Sequence, residues 1–254
     1  MKFLWGYSEF EQLLKSHPAI STGILVDTNV LISATYEMDL FHEETTQFLD
    51  VLIGKQAPLF CNVNVRSEFL EIHRRIIFTE ALLSFESVTK GSALDVEFRK
   101  KLSSLRSNQK TREDQGRTPL RLSEADLKIF KSLVMQEDDG KLWNKFSSEY
   151  IGDNLIEVWN STVEKIGLNP LSLREEDKKQ YIITVPDWED AVRLMSSHGL
   201  SSSDAMIVNM FRSSVFELIL SSDADIGTSV SMLKLPNKLC ILPDAVLKSV
   251  KIPK

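Results

Sequence analysis

Cysteine is scarce. Two in 254 residues, Cys61 and Cys240, cannot build a disulfide framework. Both sit in apolar runs, PLFCN and LCIL, so buried free thiols in a reducing compartment are expected. The four histidines, His17, His42, His73 and His198, share no ligand-like spacing with each other or with the cysteines, which argues against zinc. Neither a GxxxxGK[ST] nor a GxGxxG stretch occurs, so nucleotide-driven and dinucleotide chemistry have no support. No apolar run approaches the roughly 20 residues that span a bilayer. The opening MKFLWGYSEFEQLLKSHP carries acids and no small-residue cleavage pattern, so a secretory leader is not expected and a cytoplasmic setting is.

What is there is ordinary globular composition, 43% hydrophobic and 26% charged, with a formal net charge of −6. The chain as a whole is therefore no generic polyanion binder, although basic residues gathered on one face would still allow nucleic acid. Two stretches alternate strand-like and helix-like patterns. The first covers about residues 20 to 80: a strand at Gly23–Val26, a helix from Phe41 to Ile53, a strand at Leu59–Cys61 and a helix from Val65 to Thr79. The other covers about 180 to 245: a strand at Tyr181–Val185, a helix between Pro186 and Gly199, a helix from Ser202 to Ser213, and strands at Phe216–Leu220 and Leu239–Leu242. Alternation of this kind implies an α/β fold with a parallel sheet.

Residues 84–178 break the rhythm. They read as a helical insertion, with helices near Glu124–Gln136 and Lys141–Ile166, dividing a domain whose halves are 1–83 and 179–254. Between Arg99 and Arg121 lie eight basic and two acidic residues, read as a mobile, polar, basic loop. It is either a solvated linker or a contact for a phosphate backbone.

Four acids stand at the edges of apolar elements. Asp27 follows the strand in GILVDTNVLI, and Asp223 lies just beyond the strand in FELILSSDADIG, with Asp225 two residues on. Ligands of open parallel sheets sit outside the carboxyl ends of the strands. Asp204, in GLSSSDAMIVNMF, falls in the first turn of an apolar helix capped by Ser202 or Ser203. Such a residue also serves simply to complement the helix dipole. Glu68 borders the stripe of Val65, Phe69, Ile72 and Ile76, whereas Glu71 faces solvent. Each position has a bland explanation. If the four converge, each like-charged pair costs on the order of 4 kcal/mol at about 4 Å and an effective dielectric near 20. A cluster like that raises its pKa values or holds a hard cation, and all-oxygen donors favour Mg²⁺ or Mn²⁺.

The order ILVDTNVLI, Glu68 within CNVNVRSE, LSSSDAMIV and LILSSDADI resembles the PIN domain family, whose members include the VapC-type toxin ribonucleases. The likeness covers about half the chain, residues 20–80 and 180–245, and the long block 84–178 departs from the compact toxins. It implies a PIN-like parallel sheet of about five strands flanked by helices, with the helical insertion added. It further implies a Mg²⁺- or Mn²⁺-dependent endoribonuclease whose ligands are Asp27, Glu68, Asp204 and Asp223. Asp225 becomes a secondary acid and Asn29 an accessory polar position. RNA is then the substrate, with an antitoxin protein and a second copy of the chain as further partners to consider, and no membrane. Arg66, Arg74 and Arg75, with Lys110, Arg112 and Arg117 of the basic stretch, are candidates for positioning the RNA backbone. They are equally readable as solvated helix faces.

Two other readings stay open. One is a PIN-like domain that binds nucleic acid or a partner without turnover. The other is a haloacid-dehalogenase-like phosphatase, whose chemistry wants a second acid two positions after the first, where this chain has Asn29.

Overall fold

The structure, a computed structural model, describes residues 2–17, 22–84, 96–115, 119–136, 140–172 and 174–250. The chain forms two compact units, one from Met1–Phe69 with Ser161–Lys254 and the other from Leu70–Asn160.

The first unit contains a sheet of six strands: β1 (Leu4–Gly6), β2 (Ile24–Val26), β3 (Leu59–Cys61), β4 (Leu168–Pro170), β5 (Leu218–Leu220) and β6 (Leu239–Leu242). Their order is β1-β6-β5-β2-β3-β4 and every pairing is parallel. Its helices are α1 (Phe10–Ser16), α2 (Thr28–Thr35), α3 (His42–Gly54) and the start of α4 (Val63–Ser84). In the second unit follow α5 (Val96–Asp114), α6 (Glu124–Gln136) and α7 (Lys141–Ser147). The chain then returns through α8 (Asp153–Ile166) to α9 (Glu175–Tyr181), α10 (Trp188–His198), α11 (Ser202–Ser213), α12 (Ala224–Leu233) and α13 (Asp244–Ser249). The protein is thus α/β with an all-parallel sheet, as the alternating pattern predicts. No helix among the described residues is long and apolar enough to cross a membrane.

Parallel strands covered on both faces read as short continuous apolar runs rather than alternating ones. Ile24, Leu25, Val26, Leu218, Ile219 and Leu220 accordingly have no exposed surface. From β2 the chain builds outward through β3 to β4, then crosses back to β5 on the other side of β2. The strand order therefore reverses between β2 and β5, and a crevice opens outside their carboxyl ends. Asp27 and Asp223 follow those two ends. Cys61 and Cys240 are free and buried. Lys238, just before β6, donates from Nζ to the carbonyls of Phe211 and Ser214 at 2.8 and 2.7 Å, and also to that of Phe216, fastening the end of α11 to the approach of β5.

The sheet has six strands rather than about five, because both edge strands escape the pattern. β1 is three residues long, and β4 ends in Pro170 with only Leu168 buried. Proline is tolerated at a sheet edge, where its missing N–H costs no ladder bond. The strand expected at Tyr181–Val185 does not form. Tyr181 closes α9, Ile182 makes a single antiparallel bridge to Ser214, and Ile183 and Val185 face solvent. What buries Tyr181 is its ring, packed 4.9 and 5.6 Å from those of Phe60 and Phe216. Because β4 and α9 belong to the first unit, the break from the α/β rhythm ends earlier than residue 178. It also begins earlier than 84, since α4 enters the second unit at Leu70.

The second unit has its own core, including Phe78, Phe98, Phe130 and Phe146. The basic stretch is not a mobile loop over most of its length: α5 carries it from Arg99 to Asp114. Phe98, Leu102 and Leu105, spaced i, i+4 and i+7, are buried and hold the helix down by one stripe, leaving the charges on its remaining faces. Arg117 lies outside the described residues.

Gly23 sits at φ +96° at the entrance to β2, and a Cβ there would lie 2.3 Å from Cε2 of Phe60. Gly23→Ala is expected to destabilise the protein by roughly 2–4 kcal/mol, since it adds left-handed backbone strain to an overpacked contact. Denaturant unfolding of the two proteins measures this.

Candidate metal centre

β2 ends at Val26 because Asp27 turns the chain into α2. Its Oδ1 accepts from the Thr28 N–H at 2.7 Å, which makes Asp27 the N-cap. Its own N–H donates to the carbonyl of Leu220 at 2.9 Å, so the capping residue is still tied to β5. Oδ2 accepts from the Ser221 hydroxyl at 2.8 Å, and that hydroxyl in turn accepts from the N–H of Asp223 at 3.0 Å. Asp223 repeats the arrangement on the neighbouring strand. It caps α12, with Oδ1 accepting from the Asp225 N–H at 2.7 Å.

Two further acids arrive on helices. α11 starts after Ser201, whose hydroxyl accepts from the Asp204 N–H at 3.2 Å and donates to Asp204 Oδ2 at 2.6 Å. The cap is therefore Ser201, one residue earlier than the serines expected for it, and Asp204 occupies the third helical position. On α4, Glu68 is half-buried and its Oε2 accepts two hydroxyls: Thr28 Oγ1 at 2.9 Å and Ser203 Oγ at 2.6 Å. Glu71, by contrast, is exposed and pairs with Arg74.

The charges interact. Asp27 is only 1% exposed. Burial, followed by the charges of Asp204 and Glu68, pushes its carboxyl up to about 7, even though Ser221 and the Thr28 N–H favour the ionised form. Burial also raises Asp223, with the charges of Asp204 and Asp225 adding to it. Asp204 thus bears on both capping aspartates, and the five acids form one electrostatic group. Four of them, Asp27, Asp204, Asp223 and Asp225, stand at helix N-termini, where the dipole offers each about 0.3–1 kcal/mol. That is too little to offset like-charge pairs worth several times as much.

The donor chemistry suits a hard divalent cation. Every side chain in the group presents oxygen, and each carboxylate oxygen already holding one hydrogen bond keeps a further lone pair. As placed, no three acidic, histidine or cysteine side chains among the described residues stand close enough together to hold a metal ion.

The candidate RNA contacts divide. Asn29 is half-buried in the first turn of α2, and Arg66 is exposed on α4 two residues before Glu68. Arg74 and Arg75 belong to the second unit, where Arg74 donates to both oxygens of Glu71 at 3.0 and 2.9 Å and also pairs with Glu124. Arg75 approaches Glu71 at 3.8 Å. The Arg74 guanidinium is committed to its ion pairs, whereas Arg75 makes only that longer approach. Lys110 and Arg112 ride on α5.

Ser203, expected only as a candidate helix cap, bonds Glu68 instead, and the other hydroxyls of the group belong to no motif of their own. Thr28, Ser201, Ser203 and Ser221 each bond a carboxylate of the group. The signal was visible as serines flanking two of the acids, in SSSD and SSD. No family model, curated protein or solved structure matches the chain.

The raised carboxyl of Asp27 has a consequence for stability. An acid whose folded pKa lies above its unfolded one favours the folded state below the unfolded pKa, and that benefit is lost as pH rises through the folded value. The metal-free protein is therefore expected to lose stability between about pH 4 and pH 7, by at most about 4 kcal/mol from this group. Asp27→Asn should flatten that decline and melt higher than wild type at pH 8 in chelator. Thermal unfolding across pH checks both.

Proposed function

We propose that this chain is a PIN-like, metal-dependent endoribonuclease that hydrolyses RNA phosphodiester bonds. The observation that carries the reading is the electrostatic group itself. Asp27, Glu68, Asp204 and Asp223 come from four separate stretches of sequence, and they influence one another at the carboxyl edge of β2 and β5. Asp27 is buried, with Glu68, Asp204 and Asp223 half-buried around it. Like charge held this close without a counterion is costly, an arrangement that a bound cation relieves.

In this reading Asp27, Asp204, Asp223 and Glu68 hold Mg²⁺ or Mn²⁺, and Asp225 is a secondary acid. When bound, the ion supplies an activated water and neutralises charge on the scissile phosphate. The protein's own contribution is orientation. Asp27 is held by a backbone N–H and a hydroxyl, and Glu68 is steadied by Thr28 from α2 and Ser203 from α11. Such support keeps ligand oxygens in place before any ion arrives. Without a cation the acids repel an RNA backbone. Asn29 and Arg66 are the nearest of the candidate RNA contacts in sequence to these acids. An antitoxin, a second copy of the chain and a cytoplasmic setting belong to the same proposal.

The absence of any metal-ready trio among the described residues favours a second reading, a PIN-like domain that binds without cutting. The two separate cleanly. Labelled structured and unstructured RNA is incubated with and without Mn²⁺, and melting is followed with and without Mn²⁺. Under the nuclease reading, wild type cuts only with metal, Asp27→Asn and Asp204→Asn lose at least about 100-fold in rate, and Mn²⁺ raises the melting temperature of wild type alone. RNA binding with neither cleavage nor a Mn²⁺-dependent melting shift establishes the second reading.

A further inference from the structure

Beside the acids, within the first unit, lies a groove of about 560 Å³ walled by α9, α11, the turn from β3 into α4 and the segment 182–186. None of the four acids lines it, but two helix faces run from one to the other. On α4, Asn64 in the groove lies one turn before Glu68. On α11, Met206 and Met210 in the groove lie three and seven positions after Ser203, whose hydroxyl donates to Glu68. Residues at these spacings share a helix face. The groove therefore continues the helix faces that carry Glu68 and the Ser203 hydroxyl bound to it.

Its character differs from that of the acids. The floor is apolar, with Met206, Met210 and Ile182, and Ile183 at the rim is 67% exposed. Two lysines of α9 stand at the edge. Lys178 pairs with Glu175 at 2.9 Å, and Lys179 is exposed beside it. An apolar slot edged by a cation suits a nucleobase whose phosphate meets the lysine. Bases within a duplex are stacked and paired, and only an unpaired base can enter a slot of this kind.

We propose that this groove holds an unpaired nucleotide flanking the scissile phosphate, with the base on Met206, Met210 and Ile182 and the phosphate at Lys179, and so selects single-stranded RNA. The inference rests on the endoribonuclease reading, and it is tested without relying on cleavage. The Asp27→Asn protein is titrated with a fluorescein-labelled single-stranded oligoribonucleotide and with the same strand annealed to its complement, followed by anisotropy. Ile183→Asp and Lys179→Glu, both at exposed positions, are added singly and together. As control, Lys15→Glu, on α1 beside the opposite edge of the sheet, matches the two-unit charge change of Lys179→Glu, and adding Gln12→Glu to it matches the three-unit change of the double variant.

The single strand is expected to bind at least tenfold more tightly than the duplex. The double variant should lose about tenfold in affinity for the single strand, with the control unchanged. In the cleavage-competent background the same pair should raise KM and leave kcat nearly unaltered. Equal binding of single strand and duplex, no binding at all, or binding indifferent to both substitutions overturns the groove assignment, whether or not wild type cuts RNA. A change in oligomeric state on Ile183→Asp without a change in RNA affinity also overturns it, because the groove is then a face between copies. Failure of wild type to cut any RNA with metal, alongside groove-dependent binding, counts against the nuclease reading and leaves the groove assignment standing.

Discussion

Negative charge confined among apolar strands governs the first unit. Asp27 sits where the sheet is driest, and the ionised carboxylate there is opposed by burial and by Asp204 and Glu68. Against this stand one backbone N–H, one hydroxyl and the positive end of α2. Hydrogen bonds to a charged group contribute about 1.5–3 kcal/mol each, enough to keep the group folded and not enough to restore an ordinary carboxyl. The balance explains why so many hydroxyls surround the site: they are the neutral donors that can share a lone pair of acids without adding positive charge. A lysine or arginine in their place would satisfy the acids and close the site to a cation.

The parallel sheet makes the convergence geometrically simple. Because every strand runs the same way, every strand-to-helix turn falls on one edge, and the reversal between β2 and β5 places two such turns side by side. Each is capped by an aspartate, Asp27 directly after β2 and Asp223 three residues after the end of β5. α4 and α11 then bring one acid each. In the middle of the sheet strands of three residues suffice, because every residue of β2, β3 and β5 is buried. Asp27 keeps a backbone bond to Leu220 beyond the last strand residue, which ties the two turns together.

Much of this was legible before coordinates. Asp27 and Asp223 announced themselves as charges directly after apolar runs, and Glu68 was separable from Glu71 by its angle to the buried stripe. The α/β class followed from alternation. Less visible were the features set by partners distant in sequence. β1 and β4 are edge strands of three residues, and nothing local distinguishes them from loop. Ile182 to Val185 has strand composition but meets its neighbour only at Ser213 and Ser214, so no ladder forms and Ile183 and Val185 stay open to solvent. The basic stretch hides a helix because only three apolar residues, Phe98, Leu102 and Leu105, are needed to dock it, and ten charged residues from Arg99 to Arg121 obscure their spacing. Thr28, Ser203 and Ser221 are ordinary residues whose role appears only when Glu68 and Asp27 are placed opposite them.

Lys238 bears on the site from the far end of α11. Its ammonium bridges carbonyls at the helix terminus and before β5, and burial lowers it to about 8. Asp204 rides at the other end of the same helix, so the clasp and the acid are ends of one strut. In the ion-free chain Asp27 gains its charge above about pH 7 and Lys238 sheds its own above about pH 8. Rising pH therefore adds charge at the acid end of the strut and removes it at the clasp, so the two ends of one helix answer acidity in opposite electrostatic senses.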